Sequence, residues 1–140
     1  MKPLAYLYIG MVAIILLIVI FFVGKAYGKN LPPKEVPVPL DPGTGGTSTF
    51  DPTALTDRLF RDMDGIQLNI FDRDMDAYNT LNSLSDTDFV KVMNDWDKRY
   101  YARSKETLFQ AFQGEWFYET AKNLNESLIK RFTRLEATRK

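Results

Sequence analysis

The candidate catalytic and metal-binding groups of this chain are carboxylates, because its 140 residues include no histidine and no cysteine. That composition excludes thiolate metal sites, cysteine nucleophiles, disulfide bonds, and histidine-based triads or zinc sites. The acidic residues that come into question form two sets, which are Asp72, Asp74 and Asp76, and Glu106, Glu115 and Glu119. Each set depends on a helix or a loop to bring its members together.

The three aspartates have the alternate spacing found at the start of an EF-hand calcium loop. Such a loop also requires a glycine at position 6 and a bidentate glutamate at position 12. Counted from Asp72, those positions are Ala77 and Ser83. We therefore expect no bound metal here, but a solvated acidic loop whose carboxylates favour the positive end of the following helix.

The glutamates raise the question of glycoside hydrolysis, which needs two acids held about 5–10 Å apart across a cleft. Glu115 and Glu119 are one helical turn apart, but their neighbours offer neither a polar groove nor an apolar pocket that would separate their pKa values. No glycine-rich phosphate loop is present either. We expect no enzymatic activity, no cofactor and no small-molecule substrate, and keep an envelope-degrading enzyme as an alternative.

One uncharged stretch stands apart from the rest of the chain: residues 4–23 read LAYLYIGMVAIILLIVIFFV. A helix of about 20 apolar residues is long enough to cross the roughly 30 Å hydrocarbon core of a bilayer. Tyr6 and Tyr8 near its start, and Lys25 and Tyr27 just past its end, are residue types that settle at membrane interfaces. We predict a single-pass transmembrane anchor over residues 1–28, embedded through residues 4–23. A cleavable signal peptide is less favoured, because its apolar region usually has about 7–15 residues.

Lysines around this stretch give a weak indication of its orientation. Lys25, Lys29 and Lys34 follow it, whereas Lys2 precedes it. Positive residues collect on the cytoplasmic side of a span. We expect a bacterial inner membrane or a virion membrane, with a slight bias towards a cytoplasmic or internal C-terminal domain.

Residues 29–50 have the composition of a linker. Their prolines favour extended polyproline II, and their glycine-rich end favours a flexible joint. The prolines are Pro32, Pro33, Pro37, Pro39 and Pro42. We predict a spacer; a proline-rich ligand for an aromatic groove is less favoured, because the segment has no clean P-x-x-P motif with basic flanks.

Apolar residues at helical spacing predict a small all-α bundle of about five helices over residues 51–140. The first is capped by Asp51 and ends at Gly65, and an ordered loop at 66–74 follows. The next two are Met75–Leu84 and a helix that Ser85 caps and whose buried face includes Trp96 and Tyr100. Ser104 is expected to cap the fourth, Gly114 to end it in a left-handed conformation, and the last begins near Trp116.

Charge is divided unevenly along this predicted bundle. Residues 51–97 contain 11 acidic and 4 basic residues, whereas residues 98–140 contain 10 basic and 5 acidic ones. The simpler expectation is that the two halves pack together and compensate each other. Alternatively, a basic patch near Glu136 would meet nucleic-acid phosphates or anionic lipid. Its residues are Lys130, Arg131, Arg134, Arg139 and Lys140.

Several short motifs recur in the order of a known helical repeat. They are Asp76-Ala77-Tyr78, Leu81-Asn82-Ser83-Leu84, Asp86-Thr87-Asp88-Phe89 with Val92, Trp96 and Tyr100, and Thr107-Leu108 with Phe112 and Glu115. Residues 53–119 thus resemble a single annexin-like repeat of the kind seen in bacterial and bacteriophage proteins. The resemblance implies a compact bundle of about five short helices. The G-x-G-T calcium motif of that family is absent, since Phe71-Asp72-Arg73-Asp74 stands there, and only Glu115 matches the distal acidic ligand.

These features together predict a membrane-anchored structural or assembly protein whose tethered helical domain binds another protein. A lone annexin-like unit lacks the neighbouring repeats that would cover its faces, which favours a protein partner, a homo-oligomer or a larger shell. By analogy, a minor virion component of a membrane-containing phage or an envelope factor fits this plan. A membrane-tethered nucleic-acid binder that uses the basic C-terminal helix is the alternative.

Overall fold

A computed structural model of the chain describes residues 12, 14–21, 31–40, 48–64, 73–115 and 119–139. The chain forms two compact units, Met1–Leu31 and Pro32–Lys140. In the first unit, residues 12 and 14–21 are helical and exposed, and the other residues of the predicted 4–23 span lie outside the described part. Within the part that is described, no helix has the length and apolarity that a membrane crossing requires.

In the described part of the second unit, every regular element is a helix and no strand is formed, which confirms the predicted all-α bundle. Its helices are α1 (Thr53–Asp64), α2 (Met75–Ser83), α3 (Asp86–Ser104), α4 (Leu108–Gln113) and α5 (Lys122–Glu136), with a 3₁₀ turn at Glu119–Ala121 before α5. The predicted ordered loop at 66–74 falls largely on residues 65–72, outside the described part. The predicted start of the last element at Trp116 also lies outside it.

Helix α3 packs against α1 and α4, while α5 packs against α2 and α4. Large aromatic rings fill the space between these helices, as their spacing along the sequence predicts. The Phe132 ring meets Phe89 edge-on at 4.8 Å and lies 5.3 Å from the Phe112 ring. Trp96 is only 1% exposed, and its indole N–H donates to the Glu106 carbonyl at 3.1 Å. Burial of these rings stabilises the fold because each ring removes a large apolar area from water.

The starts of three helices follow the predicted capping chemistry. The Asp51 carboxylate accepts a hydrogen bond from the Thr53 N–H at 3.0 Å, and Ser85 Oγ accepts one from the Asp88 N–H at 3.2 Å. Asp74 caps α2 by accepting from the Ala77 N–H at 3.1 Å. Each cap satisfies a backbone donor that has no partner within its own helix.

Two predicted helix ends are wrong. Thr107, not Ser104, caps α4, because Thr107 and Gln110 form a reciprocal capping box. Helix α3 instead continues to Ser104 and ends at Lys105, which has the left-handed conformation with φ 63°. Gly114 is right-handed, with φ −75°. The left-handed position therefore falls on a lysine, where sequence rules would place a glycine.

The predicted linker boundary also needs correction. Residues 32–40, called the strap below, contain no helix, yet they belong to the same compact unit as the bundle. Val36 is 1% exposed and is part of the core, while Pro33 and Pro39 are half-buried. These three residues recur at every third position, which is the repeat of a polyproline II helix. One edge of the strap therefore faces the helices along its length. The strap is thus a packed element rather than a free spacer.

Candidate functional site

The strap is held by side chains that reach its backbone. The Val36 N–H donates to Asn94 Oδ1 at 2.8 Å, and Asn94 Nδ2 donates to the Val36 carbonyl at 2.8 Å. This pair of bonds satisfies both backbone groups of the one strap residue that is fully buried. An unpaired buried amide or carbonyl would cost about 1–3 kcal/mol, so Asn94 fixes where Val36 can sit.

Two further side chains hold the ends of the strap. Thr87 Oγ1 donates to the Pro39 carbonyl at 2.8 Å, and Arg139 Nη1 donates to the Lys34 carbonyl at 2.5 Å. We call the surface formed by Thr87, Asn94 and Arg139 the strap groove. It combines one face of α3 with the residues that follow α5.

The spacing of these contacts matches the repeat lengths of the two elements. Thr87 and Asn94 are seven residues apart on α3, which at 1.5 Å per residue corresponds to about 10.5 Å. Pro39 and Val36 are three residues apart, which in polyproline II corresponds to about 9.3 Å. The strap therefore runs antiparallel to α3 in an extended conformation. Sequence reasoning did not identify this groove, although the recurrence of Pro33, Val36 and Pro39 every three residues signals it.

A buried ion pair adjoins the groove. Arg139 Nη2 donates to Asp97 Oδ2 at 2.7 Å, and Arg139 Nε donates to Glu136 at 2.8 Å. Asp97 is only 3% exposed. Burial raises the pKa of Asp97 to about 6, although the Arg139 hydrogen bond and charge act in the opposite direction. Arg139 thus joins α3 and α5 to the strap through one guanidinium group.

Beside the strap lies an open cleft with a volume of about 320 Å³. Its apolar wall is formed by Pro37, Val38, Pro39 and Leu135, and its polar rim by Asp86, Arg134 and Thr138. In the described part of the second unit, the exposed large apolar residues are Val38, at 45%, and Leu40, at 75%. Exposed apolar surface of the helical unit is therefore concentrated on the strap.

Three residues of the predicted basic patch, all of them arginines, form ion pairs with aspartates. Arg131 and Arg134 both contact Asp86, at 2.9 and 2.8 Å, and Arg139 contacts Asp97. Lys130 is exposed, and Lys140 lies outside the described residues. The Arg134 hydrogen bond, together with the Arg131 charge, lowers the pKa of Asp86. The arginines of the basic half compensate aspartates of the acidic half, as the simpler expectation had it.

Arg131 does more than pair with a carboxylate. It donates to the carbonyls of Asn82 and Leu84, at 3.0 and 2.6 Å, and its guanidinium lies 4.4 Å from the centre of the Phe89 ring. These carbonyls belong to the end of α2 and the turn that leads into α3. Arg131 therefore fastens α5 to that turn, with its charge facing into the fold.

The acidic residues singled out in the sequence are also engaged in ion pairs. Arg58 binds Asp74 at 2.6 Å and Asp76 at 2.8 Å, and its hydrogen bond is the main reason that the pKa of Asp74 is lowered. Asp72 lies outside the described residues. In the described ranges, no cluster of three acidic side chains has the arrangement of a metal site.

Glu115 forms a short ion pair with Arg73, whose guanidinium also lies 3.9 Å from the Asp62 carboxylate. Asp62 accepts hydrogen bonds from the Tyr78 hydroxyl at 2.5 Å and from the Asp74 N–H at 2.9 Å. Burial, followed by the bond to Asp62, raises the pKa of Tyr78. This network joins α1, α2 and the end of α4.

The other predicted glutamates do not join this network among the described contacts. The Glu106 side chain is exposed, and nothing is described of the Glu119 side chain. The structure therefore places a counter-ion, Arg73, against Glu115.

Comparison of the chain with protein-family models, with curated proteins and with solved structures finds no match. The annexin-like resemblance stays a prediction that rests on the motifs themselves. The strap groove and the ion-pair networks consequently carry the functional argument.

Proposed function

We propose that this chain is a membrane-anchored structural or assembly protein whose helical unit binds another protein. The apolar residues 4–23 supply the anchor. The observation that carries the proposal is the covalent continuity of this stretch with a strap that docks on the bundle through Val36 and Asn94. Because the segment that follows the anchor is docked on the helical unit, the chain is suited to positioning that unit near a membrane for assembly with another protein.

The distribution of charges supports a role in assembly over catalysis. Among the described residues, arginines of the basic half contact aspartates of the acidic half on a different structural element in five ion pairs, namely Arg99–Asp57, Arg103–Asp64, Arg131–Asp86, Arg134–Asp86 and Arg139–Asp97. Glu115, the acid that a hydrolytic mechanism would need, is bound by Arg73. These contacts use the charged groups to join helices.

The anchor is tested by extracting membranes at alkaline pH after expression of the full chain, and by measuring the intact mass. We expect an uncleaved protein that stays with the lipid. The variant Leu16→Arg/Leu17→Arg places two charges in the apolar stretch and should move the protein to the supernatant. The matched control, Lys98→Arg/Lys130→Arg, should not. Cleavage just after the apolar stretch would overturn the anchor and favour a signal peptide.

The partner is tested by site-specific photo-cross-linking in the intact membrane, with the reactive group placed at exposed positions of the helical unit such as Asn79, Lys98 and Lys130. Discrete protein adducts that do not change with added nuclease support an assembly role. Adducts that disappear with nuclease or at high salt would favour the nucleic-acid alternative instead.

A further inference from the structure

The strap groove recognises backbone groups and an extended conformation rather than a particular set of side chains. Its three polar side chains make four hydrogen bonds, all to strap backbone atoms, and only one of these bonds, at Val36, uses a strap N–H. Prolines lack a backbone N–H, and the groove accepts a strap N–H only at Val36. Prolines on either side of Val36 therefore lose no hydrogen bond to the groove. The only side chain that the groove encloses completely is that of Val36, which is 1% exposed. Such a surface suits an extended peptide with an apolar residue followed by prolines.

We propose that the strap groove is a peptide-binding site that also accepts the strap of a second copy of this chain, so that two copies exchange straps. A second copy offers the same residues in the same order, so every contact to Val36, Pro39 and Lys34 is re-formed without change. Exchange of an identical element is for this reason a low-cost route to a dimer. The inference rests on the proposed function, because anchoring in one membrane is what brings copies close together.

The sequence between the strap and α1 is suited to such an exchange. Residues 41–47 read DPGTGGT, with three glycines among seven residues. Glycine accepts φ of either sign, so the same sequence is compatible with a chain that returns to its own bundle and with one that continues to a neighbour. On the far side of this stretch, the Lys91 ammonium donates to the carbonyl of Ser48, so the chain is held again in the segment that leads into α1.

Single cysteines test the exchange directly, because the chain has none of its own. Val38 and Thr138 line the same cleft, one from the strap and one from the residues after α5. One tagged copy carries Val38→Cys and a differently tagged copy carries Thr138→Cys; both full-length chains are co-expressed in membranes and treated with a short bis-maleimide. We expect a cross-linked species that contains both tags.

Three controls decide how that result is interpreted. Replacing Thr138→Cys by Lys130→Cys, which lies on an exposed part of α5, gives the background from random encounters. Adding Asn94→Ala to both copies should reduce the two-tag species towards that background. A chain that carries Val38→Cys and Thr138→Cys together reports closure within one copy. If this double variant cross-links only internally, and the mixed copies remain at background, the exchange is overturned.

A peptide experiment tests the groove independently. Val36→Asp in the full chain places a carboxylate where the strap is buried and should release it. A fluorescent peptide of residues 31–41 should then bind to this variant in detergent and not to Val36→Asp/Asn94→Ala, while a scrambled peptide should bind to neither. Peptide binding without any two-tag cross-link would overturn the second copy as occupant. Should Val36→Asp fail to fold, the cross-linking of otherwise native chains still decides.

The two proposals fail in distinguishable ways. Release of the protein from membranes at alkaline pH contradicts the anchor. Retention in the membrane together with background cross-linking contradicts strap exchange alone.

Discussion

The side-chain amide of Asn94 accepts a hydrogen bond from the Val36 N–H and donates one to the Val36 carbonyl, both at 2.8 Å. These residues are 58 positions apart in the chain. The pairing imitates the reciprocal bonds between two residues of adjacent β-strands, with a helix side chain in place of one strand. It makes a proline-rich segment part of the core, and it makes Asn94 the residue on which the strap depends.

Replacing Asn94 by alanine should lower the free energy of unfolding by about 2 kcal/mol, because two backbone groups of Val36 lose their partner in a buried position. Asn94→Asp should be nearly as harmful, since a carboxylate accepts from the Val36 N–H but repels the carbonyl. Urea unfolding of the full chain in detergent, followed by tryptophan fluorescence, measures both changes.

Asn79 provides the matched control for this prediction, because it is an exposed asparagine on α2. Asn79→Ala should change stability by no more than about 0.5 kcal/mol. Equal effects at the two asparagines would mean that the strap contributes nothing to the stability of the unit.

Arg73 and Glu115 should be strongly coupled. Arg73→Met leaves the Glu115 carboxylate, which is 17% exposed, without its counter-ion, and removal of one partner from a buried pair costs about 3 kcal/mol. Glu115→Gln weakens the same contact from the other side. The double variant should be less destabilised than the sum of the single variants by about 1–2 kcal/mol. A double-mutant cycle in urea measures this coupling, and strictly additive losses would contradict the pairing.

Asp97→Asn should change how stability depends on pH. Burial raises the pKa of Asp97 from its ordinary value of 3.8 to about 6. The folded state therefore binds this proton more tightly than the unfolded chain, and the stability that the group contributes is present at low pH and is lost as the pH rises through about 6. The unfolding free energy of Asp97→Asn relative to the parent should accordingly rise between about pH 4 and pH 7.

Asp86 gives the opposite sign and serves as the comparison. Its pKa is lowered, first by the hydrogen bond from Arg134, so its contribution is present above the ordinary value and is lost only as the pH falls through the lowered pKa. Asp86→Asn should therefore shift stability by a constant amount over the range from about pH 5 to pH 7. Unfolding curves in urea at several pH values measure both variants. Parallel curves for Asp97→Asn and the parent would contradict the raised pKa.

Arg131 and Lys130 are neighbours in the sequence with different expected effects. Arg131→Ala removes contacts to Asp86 and to two backbone carbonyls, and we expect a loss of about 2–3 kcal/mol. Arg131→Lys should restore little of it, because an ammonium group cannot reproduce the fork of a guanidinium. Lys130→Ala should be neutral within about 0.5 kcal/mol. Thermal unfolding followed by circular dichroism separates them; similar losses at both positions would mean that Arg131 acts as a surface charge.

Local signals in the sequence predict much of the bundle. Ser85 followed by acidic residues and a helical stripe of apolar residues fixes the start of α3, and Tyr78 and Leu81 fix the buried face of α2. Both elements are determined by residues within one or two turns. These parts follow from capping and amphipathicity, which depend on near neighbours only.

The strap and the fate of the basic residues depend on distant neighbours instead. Asp86 lies 45 residues before Arg131, and Asn94 lies 58 residues after Val36. Near Arg131 in the sequence lies the acidic residue Glu136, whereas its partner Asp86 is distant in the sequence. Prolines likewise indicate an extended conformation but not the surface on which it packs. The helices could be predicted from the sequence for this reason. The strap groove and the ion pairs could be identified only from the three-dimensional structure.

Gly114→Ala separates the sequence expectation from the structure most clearly. The sequence places a left-handed cap at Gly114, where alanine would destabilise the protein by about 1 kcal/mol. In the structure φ is −75°, and an added Cβ would meet the Ala111 carbonyl at 3.4 Å, an ordinary contact. Alanine should therefore be tolerated or stabilising by about 0.5 kcal/mol, because it restricts the unfolded chain. Lys105→Gly, at φ 63°, should be stabilising for the opposite reason, since glycine adopts that conformation without strain. Urea midpoints of both variants measure the outcome, and a destabilised Gly114→Ala would place the left-handed residue back at Gly114.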